Sequence, residues 1–474
     1  MNSRADGGAL DPDPLTLRDR DLGFATDLYQ LTMAGAYHAL ARQGRLPERA
    51  TFELWVRRFP PHRNFLVFAG LAPALASLAA LRFEPDQLEW LRGLDVFAHV
   101  PASFFDELAG FRFRGDVRAM AEGTLFFPGE PVLSVSGSLL ETQIVETLLL
   151  SIVNFQVSIA SKGARLRLAA GPRPSLAEFG GRRAHGPQAA AWAARAAYVG
   201  GCDSTSNVLA GHWLGIPVVG TMAHSYVMSF DHEIDAFRHY QSVYPEHTIH
   251  LVDTYDTLEG VRQALATGRP FRGVRLDSGD VAALARETRR LLDEGGRPDA
   301  LIFASGDLNE HKIAELVADR APIDSFGVGT ELATSYDAPA LSGVYKLVET
   351  IDHGERELTY KASAGKEMLP GAKQVVRAFG ADGAMTGDRV VPAGTEPDGG
   401  LLRPVMRAGR ILVREELAAA RERCLDQLAR LPAPLRALEV ADEPYPVAFD
   451  PAFQDLLERA KERTGAAARH GPSR

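Results

Sequence analysis

The chain has only two cysteines, Cys202 and Cys424, among its 474 residues. That is too few for a disulfide framework or a cysteine-rich zinc site, and it suits a reducing cytoplasm. No apolar run approaches the length that a membrane span requires. An excess of positive charge is missing too: 52 Lys+Arg stand against 61 Asp+Glu, a net charge of -9. Without a global basic field, nucleic acid and anionic membranes are poor partners, and any anionic ligand must be gripped by local arginines. The first 20 residues lack the apolar centre of a signal peptide and, with residues 466–474, read as disordered tails. No low-complexity linker interrupts the chain between them. No G-x-G-x-x-G follows a strand-like run, which argues against a doubly wound dinucleotide-binding sheet.

What is present is a composition for a large core, 46% hydrophobic and 24% charged, at a length that suggests two domains. The stretch TDLYQLTMAGAYHAL opens on a Thr26/Asp27 cap and places Leu28, Leu31, Gly35 and His38 on one helix face. TFELWVRRFP reads as a strand, and a long apolar helix begins near Glu141. From about residue 175 the texture changes to seven short apolar runs ending in Gly, Ser or Asp: SLAEFGGRR, PVVGTMAH, TIHLVDTYDT, GVRLDSGD, LIFASGDLN, SFGVGTEL and GVYKLVE. Their spacing is that of repeated βα units, so the expected class is α/β with an irregular (β/α) barrel. The expected organisation is an N-terminal mixed α/β domain over 21–155, a barrel over 156–354, and a C-terminal segment over 355–465 that completes the smaller domain.

Two of these runs nearly repeat, with Ser-Gly-Asp at 278–280 and at 305–307, and FGVGT at 326–330 offers a third such turn. Asp280 and Asp307 can be read as helix caps. Glycine at a helix start also lets backbone N–H groups approach an anion closely, and three such turns suit a divided phosphate site. Arg182, Arg183, Arg275 and Lys162 fall at expected strand ends or helix starts, and Asp277 could hold a magnesium ion or a water beside a phosphate. His224 follows the β-branched run 216–219 and sits among small residues. It is either a core histidine or an imidazole just past a strand's end, where it could act as a nucleophile.

Taken together and in order, TDLYQLTM, EFGGRRAHGP, GGCDSTSNVLAG, GTMAHS, RLDSGD, GVGTEL, GVYKLVE and PGAKQVVR resemble the nicotinate phosphoribosyltransferases over about residues 24–377. The resemblance implies a type II phosphoribosyltransferase that moves ribose 5-phosphate from phosphoribosyl pyrophosphate to nicotinate, the first step of NAD salvage from nicotinate, in the cytoplasm. It implies coupling to ATP hydrolysis through a phosphohistidine at His224, with Arg275 and Asp277 also catalytic, and Mg2+ whose ligands stay open. Tyr29 and Phe179 would sandwich the pyridine ring, Tyr29 reaching across a homodimer. Arg182, Thr221, Arg275 and Asp203 would complete the nicotinate site. Lys162, Arg182, Asp277, Ser278, Gly279, Gly306, Asp307, Gly329 and Thr330 would hold phosphoribosyl pyrophosphate. Gly181 and His185 depart from the expected pattern. Asp203 would also suit the amide of nicotinamide, so a nicotinamide phosphoribosyltransferase is the alternative enzyme. Quinolinate phosphoribosyltransferases are shorter and lack GTMAHS and PGAKQV, and a non-catalytic sensor would have no need of His224, Arg275 and Asp277.

Overall fold

The computed structural model describes residues 18–360, 368–395 and 399–469. The tail expected over residues 1–20 therefore lies outside the description except at its end. There Asp19–Asp21 forms a short 3-10 turn, and Arg20 bonds Asp86 at 2.7 Å. At the other terminus the helix Ala452–Arg469 takes in residues 466–469 of the second expected tail.

Two large sheets organise the chain. One is antiparallel with seven strands, ordered Glu355–Leu358, Gly343–Asp352, Arg49–Val56, Pro131–Gly137, Asp116–Ala119, Arg403–Arg407 and Arg410–Ile411. The other has six strands, all parallel, ordered Ser204–Thr205, Ser175–Glu178, Ser325–Val328, Leu301–Ala304, Gly273–Leu276 and Ile249–Leu251. Its strands are short and alternate with helices, as the repeated βα pattern requires. The α/β class expected from the sequence is the one observed.

Two of the seven runs depart from the barrel expectation. GVYKLVE forms Gly343–Asp352, which pairs antiparallel with Arg49–Val56 and so belongs to the other sheet. An apolar run of this length shows that a strand forms but carries no signal for its partner. In the run 216–219 only Ile216 is buried, while Val218 and Val219 are 50% and 36% exposed. A single parallel bridge, Thr205 to Val218, ties it to the end of the six-stranded sheet. At that sheet's other end, Thr254 follows Ile249–Leu251 and its hydroxyl lies 3.2 Å from His224 Nδ1. The segments beyond the two outermost strands thus meet at their carboxyl ends.

The helix expected from Glu141 starts earlier and breaks once. Ser138 accepts from the Glu141 N–H at 3.2 Å while the Glu141 carboxylate returns to Ser138, a capping box that opens Leu139–Ile144. Glu146–Ala170 follows and ends at Gly171, whose φ is 69°. This helix serves both hydrophobic cores: Ile152, Val153 and Val157 pack with the antiparallel sheet's core, and Ile159, Ala160, Ala164 and Leu166 with the parallel sheet's core. It crosses Pro187–Val199 at backbone distance, because a Cβ on Gly200 would stand 2.2 Å from the Ala160 carbonyl oxygen. In the first helix, Leu28–Ala41, Leu31, Gly35 and His38 are buried as expected, but Leu28 is 51% exposed.

His250, on the edge strand Ile249–Leu251, is fully buried in the core. Its ring lies between Phe237 and Phe271, at centroid distances of 4.4 and 5.2 Å, and neither nitrogen has a hydrogen-bond partner among the described residues. Burial draws its pKa down from 6.5 to about 3.

These contacts set two expectations. Gly200→Ala should cost about 1–3 kcal/mol, because backbone must move to admit the methyl group, and should appear as a lower denaturant midpoint at unchanged slope. For His250, the unfolded chain binds the extra proton first as pH falls, so the stability tied to the neutral ring is complete above about pH 6.5 and is lost toward pH 3. His250→Leu should therefore flatten the loss of stability between pH 7 and pH 5 by about 2 kcal/mol. Parallel pH profiles of the two proteins would count against this reading.

Candidate functional site

The carboxyl ends of Ser175–Glu178, Gly273–Leu276, Leu301–Ala304 and Ser325–Val328 open onto one cavity of about 610 Å³. Phe179, Asp277, Ser305 and Gly329, each the residue just past its strand, all line it. This is the end of a parallel sheet where loops can carry chemistry without disturbing the core.

Close backbone approach builds the floor. A Cβ on Gly306 would stand 1.8 Å from the Asp277 carbonyl oxygen, so the turns after two neighbouring strands interlock only with glycine there. Gly180 plays the same part against the third turn, its absent Cβ falling 2.6 Å from the Gly329 carbonyl oxygen. The two Ser-Gly-Asp turns then diverge. Asp280 caps Val281–Glu294, accepting from the Ala283 N–H at 3.0 Å. Asp307 caps nothing. It takes a left-handed φ of 46° and lines the cavity, and Asn309 caps the helix Glu310–Ala318 instead. A non-glycine residue held in that conformation at a cavity wall marks a constrained site.

Asp277 is the electrostatic centre. Its Oδ1 accepts the Ser305 hydroxyl at 2.5 Å and lies 3.9 Å from Arg275 Nε, and its Oδ2 is 3.8 Å from His224 Nε2. Arg275 donates to the Thr221 hydroxyl at 2.6 Å, while its Nε is buried without a hydrogen-bond partner. Burial lowers the pKa of this guanidinium, against the pull of Asp277 and Asp253. Asp253 supports the turn from behind: its Oδ2 accepts the Asp277 N–H at 3.0 Å and the Ser278 hydroxyl at 2.6 Å, and its Oδ1 is buried and unpartnered. His224 itself is not core. Its side chain is 41% exposed, at the first position of His224–Met228.

One wall is aromatic. Phe179 stacks on Phe303 with centroids 5.4 Å apart and planes at 11°, and Gly327 makes the room, since a Cβ there would meet both rings at 2.8 Å. Phe179 is itself part of the cavity lining. Glu178 anchors this turn from below, fully buried, accepting the Thr205 hydroxyl at 2.6 Å and the Gly180 N–H. Burial raises its pKa, against those two hydrogen bonds. Arg182, Arg183 and Lys312 add positive charge to the rim.

Of the residues singled out from the sequence, Phe179, Arg182, Arg275, Asp277, Gly306, Asp307, Gly329 and Thr330 line the cavity. Thr221, His224 and Ser278 adjoin it through Arg275, Asp277 and Asp253. Gly279 supplies a left-handed turn, φ 82°, beside the site rather than in its lining.

Three residues lie elsewhere. Lys162, expected to hold phosphoribosyl pyrophosphate, is 1% exposed, is enclosed by Glu310, Glu331 and Asp337, and does not line the cavity. Asp203 precedes the strand Ser204–Thr205, at the amino ends of the parallel strands, where it pairs with Arg167 and Arg421 and accepts the Leu176 N–H at 2.8 Å. It is absent from the lining of the cavity. Tyr29 is 49% exposed on the first helix and contributes nothing to the cavity lining of its own chain.

Ser305, Asn309, Lys312, Glu331 and Tyr336 line the cavity without having been singled out. The first two stand inside the quoted run ASGDLN, and a systematic reading of strand-to-helix turns would have included them. Tyr336 left no such signal. Among the described residues, Glu48, Asp352 and His353 form the one group of three ligand-type side chains close enough to share an ion, and it lies on the antiparallel sheet away from this cavity.

Comparison with known proteins agrees with this geometry. Residues 24–154 match the nicotinate phosphoribosyltransferase N-terminal domain, and residues 159–339 match the quinolinate phosphoribosyl transferase C-terminal domain. A nicotinate phosphoribosyltransferase of Mycobacterium tuberculosis is 43% identical over 455 residues, 94% of this chain and 95% of that protein. The human nicotinate phosphoribosyltransferase is 35% identical over 421 residues, 76% of this chain and 77% of that protein. The crystal structure of human nicotinic acid phosphoribosyltransferase superposes with a TM-score of 0.78 at 30% identity, covering 92% of this chain and 99% of that one. A nicotinate-nucleotide pyrophosphorylase from Pyrococcus furiosus superposes at 0.70 and 27% identity, covering 88% of this chain and 97% of that one. With this extent of identity along nearly the whole chain, and with the cavity at the carboxyl ends of its parallel strands, the protein belongs to the nicotinate phosphoribosyltransferase family.

Proposed function

We propose that the chain transfers ribose 5-phosphate from phosphoribosyl pyrophosphate to the ring nitrogen of nicotinate, releasing pyrophosphate and forming nicotinate mononucleotide for NAD salvage, with ATP hydrolysis coupled through His224. The observation that carries this reading is the shared carboxylate of Asp277, which gathers Arg275, Ser305 and His224 at the rim of one cation-lined cavity. As pyrophosphate departs, positive charge develops on the anomeric carbon, and a fixed carboxylate beside the ribose stabilises it. The pyridine nitrogen arrives with its own lone pair, so the residues need to bind and orient rather than remove a proton. Phe179 offers its ring to the pyridine face, and Arg275, which lines the same cavity, offers its guanidinium to the nicotinate carboxylate. Arg182, Arg183 and Lys312 face the anionic end.

The residues present fit a magnesium ion: Asp277 and the orphaned Oδ1 of Asp253 are hard carboxylate oxygens of the kind it takes. When bound there, the ion would neutralise charge on the leaving pyrophosphate. For the ATP-coupled step, Nδ1 of His224 shares a hydrogen bond with the Thr254 hydroxyl, and the tautomer protonated at Nδ1 leaves Nε2 with its lone pair. Nε2 attacks the γ-phosphorus, the bond to the β-phosphate oxygen breaks, ADP leaves, and water later takes the phosphoryl group. We further propose a homodimer in which Tyr29, half exposed on its own subunit's surface, completes the ring site of the neighbouring subunit. A cytoplasmic location is consistent with two buried free cysteines. Among the described residues no helix is long and apolar enough to cross a membrane.

The place of Asp203 supports nicotinate over nicotinamide, because the one acidic residue that suited an amide is engaged by two arginines at the other end of the sheet. Nicotinate should have a kcat/KM at least roughly 100-fold above that of nicotinamide, the worth of a buried charge-assisted contact to the carboxylate. Equal or reversed specificity constants would overturn the assignment. His224→Ala should abolish acid-labile labelling by γ-phosphate-labelled ATP and the hydrolysis of ATP. Its melting temperature should stay within a few degrees of the parent, since this ring is partly exposed. Full labelling of the variant would place the phosphoryl acceptor elsewhere.

A further inference from the structure

A knot of six charges lies behind the wall of the cavity. The ammonium of Lys162 sits 2.6 Å from Glu310 Oε2, 2.9 Å from Asp337 Oδ1 and 3.2 Å from Glu331 Oε2. Arg165 Nε reaches the other oxygen of Glu310 at 2.9 Å, and Arg63 clasps both oxygens of Asp337 at 2.7 and 3.0 Å. Three cations face three carboxylates, so burial leaves no charge over, the condition under which such a cluster is tolerated. The ammonium donates hydrogen bonds to Glu331 and Asp337 and stands in ion-pair contact with Glu310, so all three carboxylates claim it.

The origin of the carboxylates gives the knot its meaning. Glu331 lines the cavity itself, Glu310 directly follows Asn309, and Asp337 directly follows Tyr336, both of which line it. They come from three separate segments: the start of Glu310–Ala318, the start of Thr330–Ala333, and the loop beyond it. The two principal cations come from the single helix Glu146–Ala170. Asp337 also lines a second cavity with Arg57–Pro61, but all three carboxylates stand on, or directly beside, residues that line the candidate site.

We propose that Lys162 is a positioning residue for the pyrophosphate-bearing substrate. By holding the turn 306–310 against the turns 329–331 and 336–337, it fixes the spacing of the groups that face the anion, among them Thr330 and Lys312. This deepens, and rests on, the reading of the cavity as a phosphoribosyl pyrophosphate site.

The test pairs calorimetric titration of inorganic pyrophosphate with steady-state kinetics on the full chain. Lys162→Met should weaken pyrophosphate binding, and raise KM for phosphoribosyl pyrophosphate, by about tenfold or more, since small displacements of positioning groups are felt strongly. KM for nicotinate should change by less than about twofold, and Lys162→Arg should recover part of the loss. If Lys162→Met does not fold, Asp337→Asn, at a partly exposed position, should show the same selective shift. Unchanged pyrophosphate binding with only a lower melting temperature, or an equal rise in both KM values, would overturn the proposal. A parent protein that binds pyrophosphate but fails to turn over nicotinate would sink the assigned reaction instead. The dependence of pyrophosphate binding on Lys162 would still decide the positioning role.

Discussion

The near-contact of Gly200 with the Ala160 carbonyl fixes where the helix Glu146–Ala170 can lie, and much else follows from that position. One half of the helix is built into the core under the antiparallel sheet and the other half into the core under the parallel one. Neither sheet can shift relative to the other without disturbing a close-packed helix, and close-packed interiors transmit strain rather than absorb it. Lys162 and Arg165 ride on the same helix. The frame that joins the two halves therefore also reaches the back of the cavity.

At the rim, geometry and electrostatics depend on the same absence of side chains. Gly306 and Gly180 let four turns touch in two pairs at backbone distance, and Asp277, in one of them, reaches Arg275 on its own strand, Ser305 past the next strand, and His224. A carboxylate so placed holds a nearby guanidinium and imidazole without neutralising either by a tight pair, since both contacts are close to 4 Å. Each keeps hydrogen-bonding capacity for a ligand. The arrangement differs from the knot around Lys162, where every charge is matched at short range and the role is structural.

Much of the site was legible because its residues recur in short strand-to-turn runs, where periodicity locates the strand and glycine locates the turn. RLDSGD and ASGDLN announced their chemistry locally. Where the sequence misled, the deciding contacts were distant in sequence. Asp203 looks like a ring contact until Arg167 and Arg421 are seen to claim it, and Arg421 lies over 200 positions away. Lys162 sits on a helix whose apolar pattern reveals burial but not the three carboxylates it meets. Two histidines make the same point: His224 and His250 both accompany short β-branched runs, yet one is an exposed rim residue and the other a ring packed between phenylalanines. Partner choice, not local pattern, separates them.

The antiparallel sheet is assembled from segments far apart along the chain. Arg49–Val56, almost wholly buried, has Pro131–Gly137 on one side and Gly343–Asp352 on the other, and Asp116–Ala119 waits for Arg403–Arg407. During synthesis the first of these strands must persist with an open, apolar edge while the whole parallel sheet is made, an interval on the order of tens of seconds at ribosomal rates. Such edges are templates for pairing with other chains. The nascent protein is therefore most vulnerable to aggregation in mid-translation. A fragment ending just after the parallel sheet would keep that vulnerability permanently, even with every strand that borders the cavity in place.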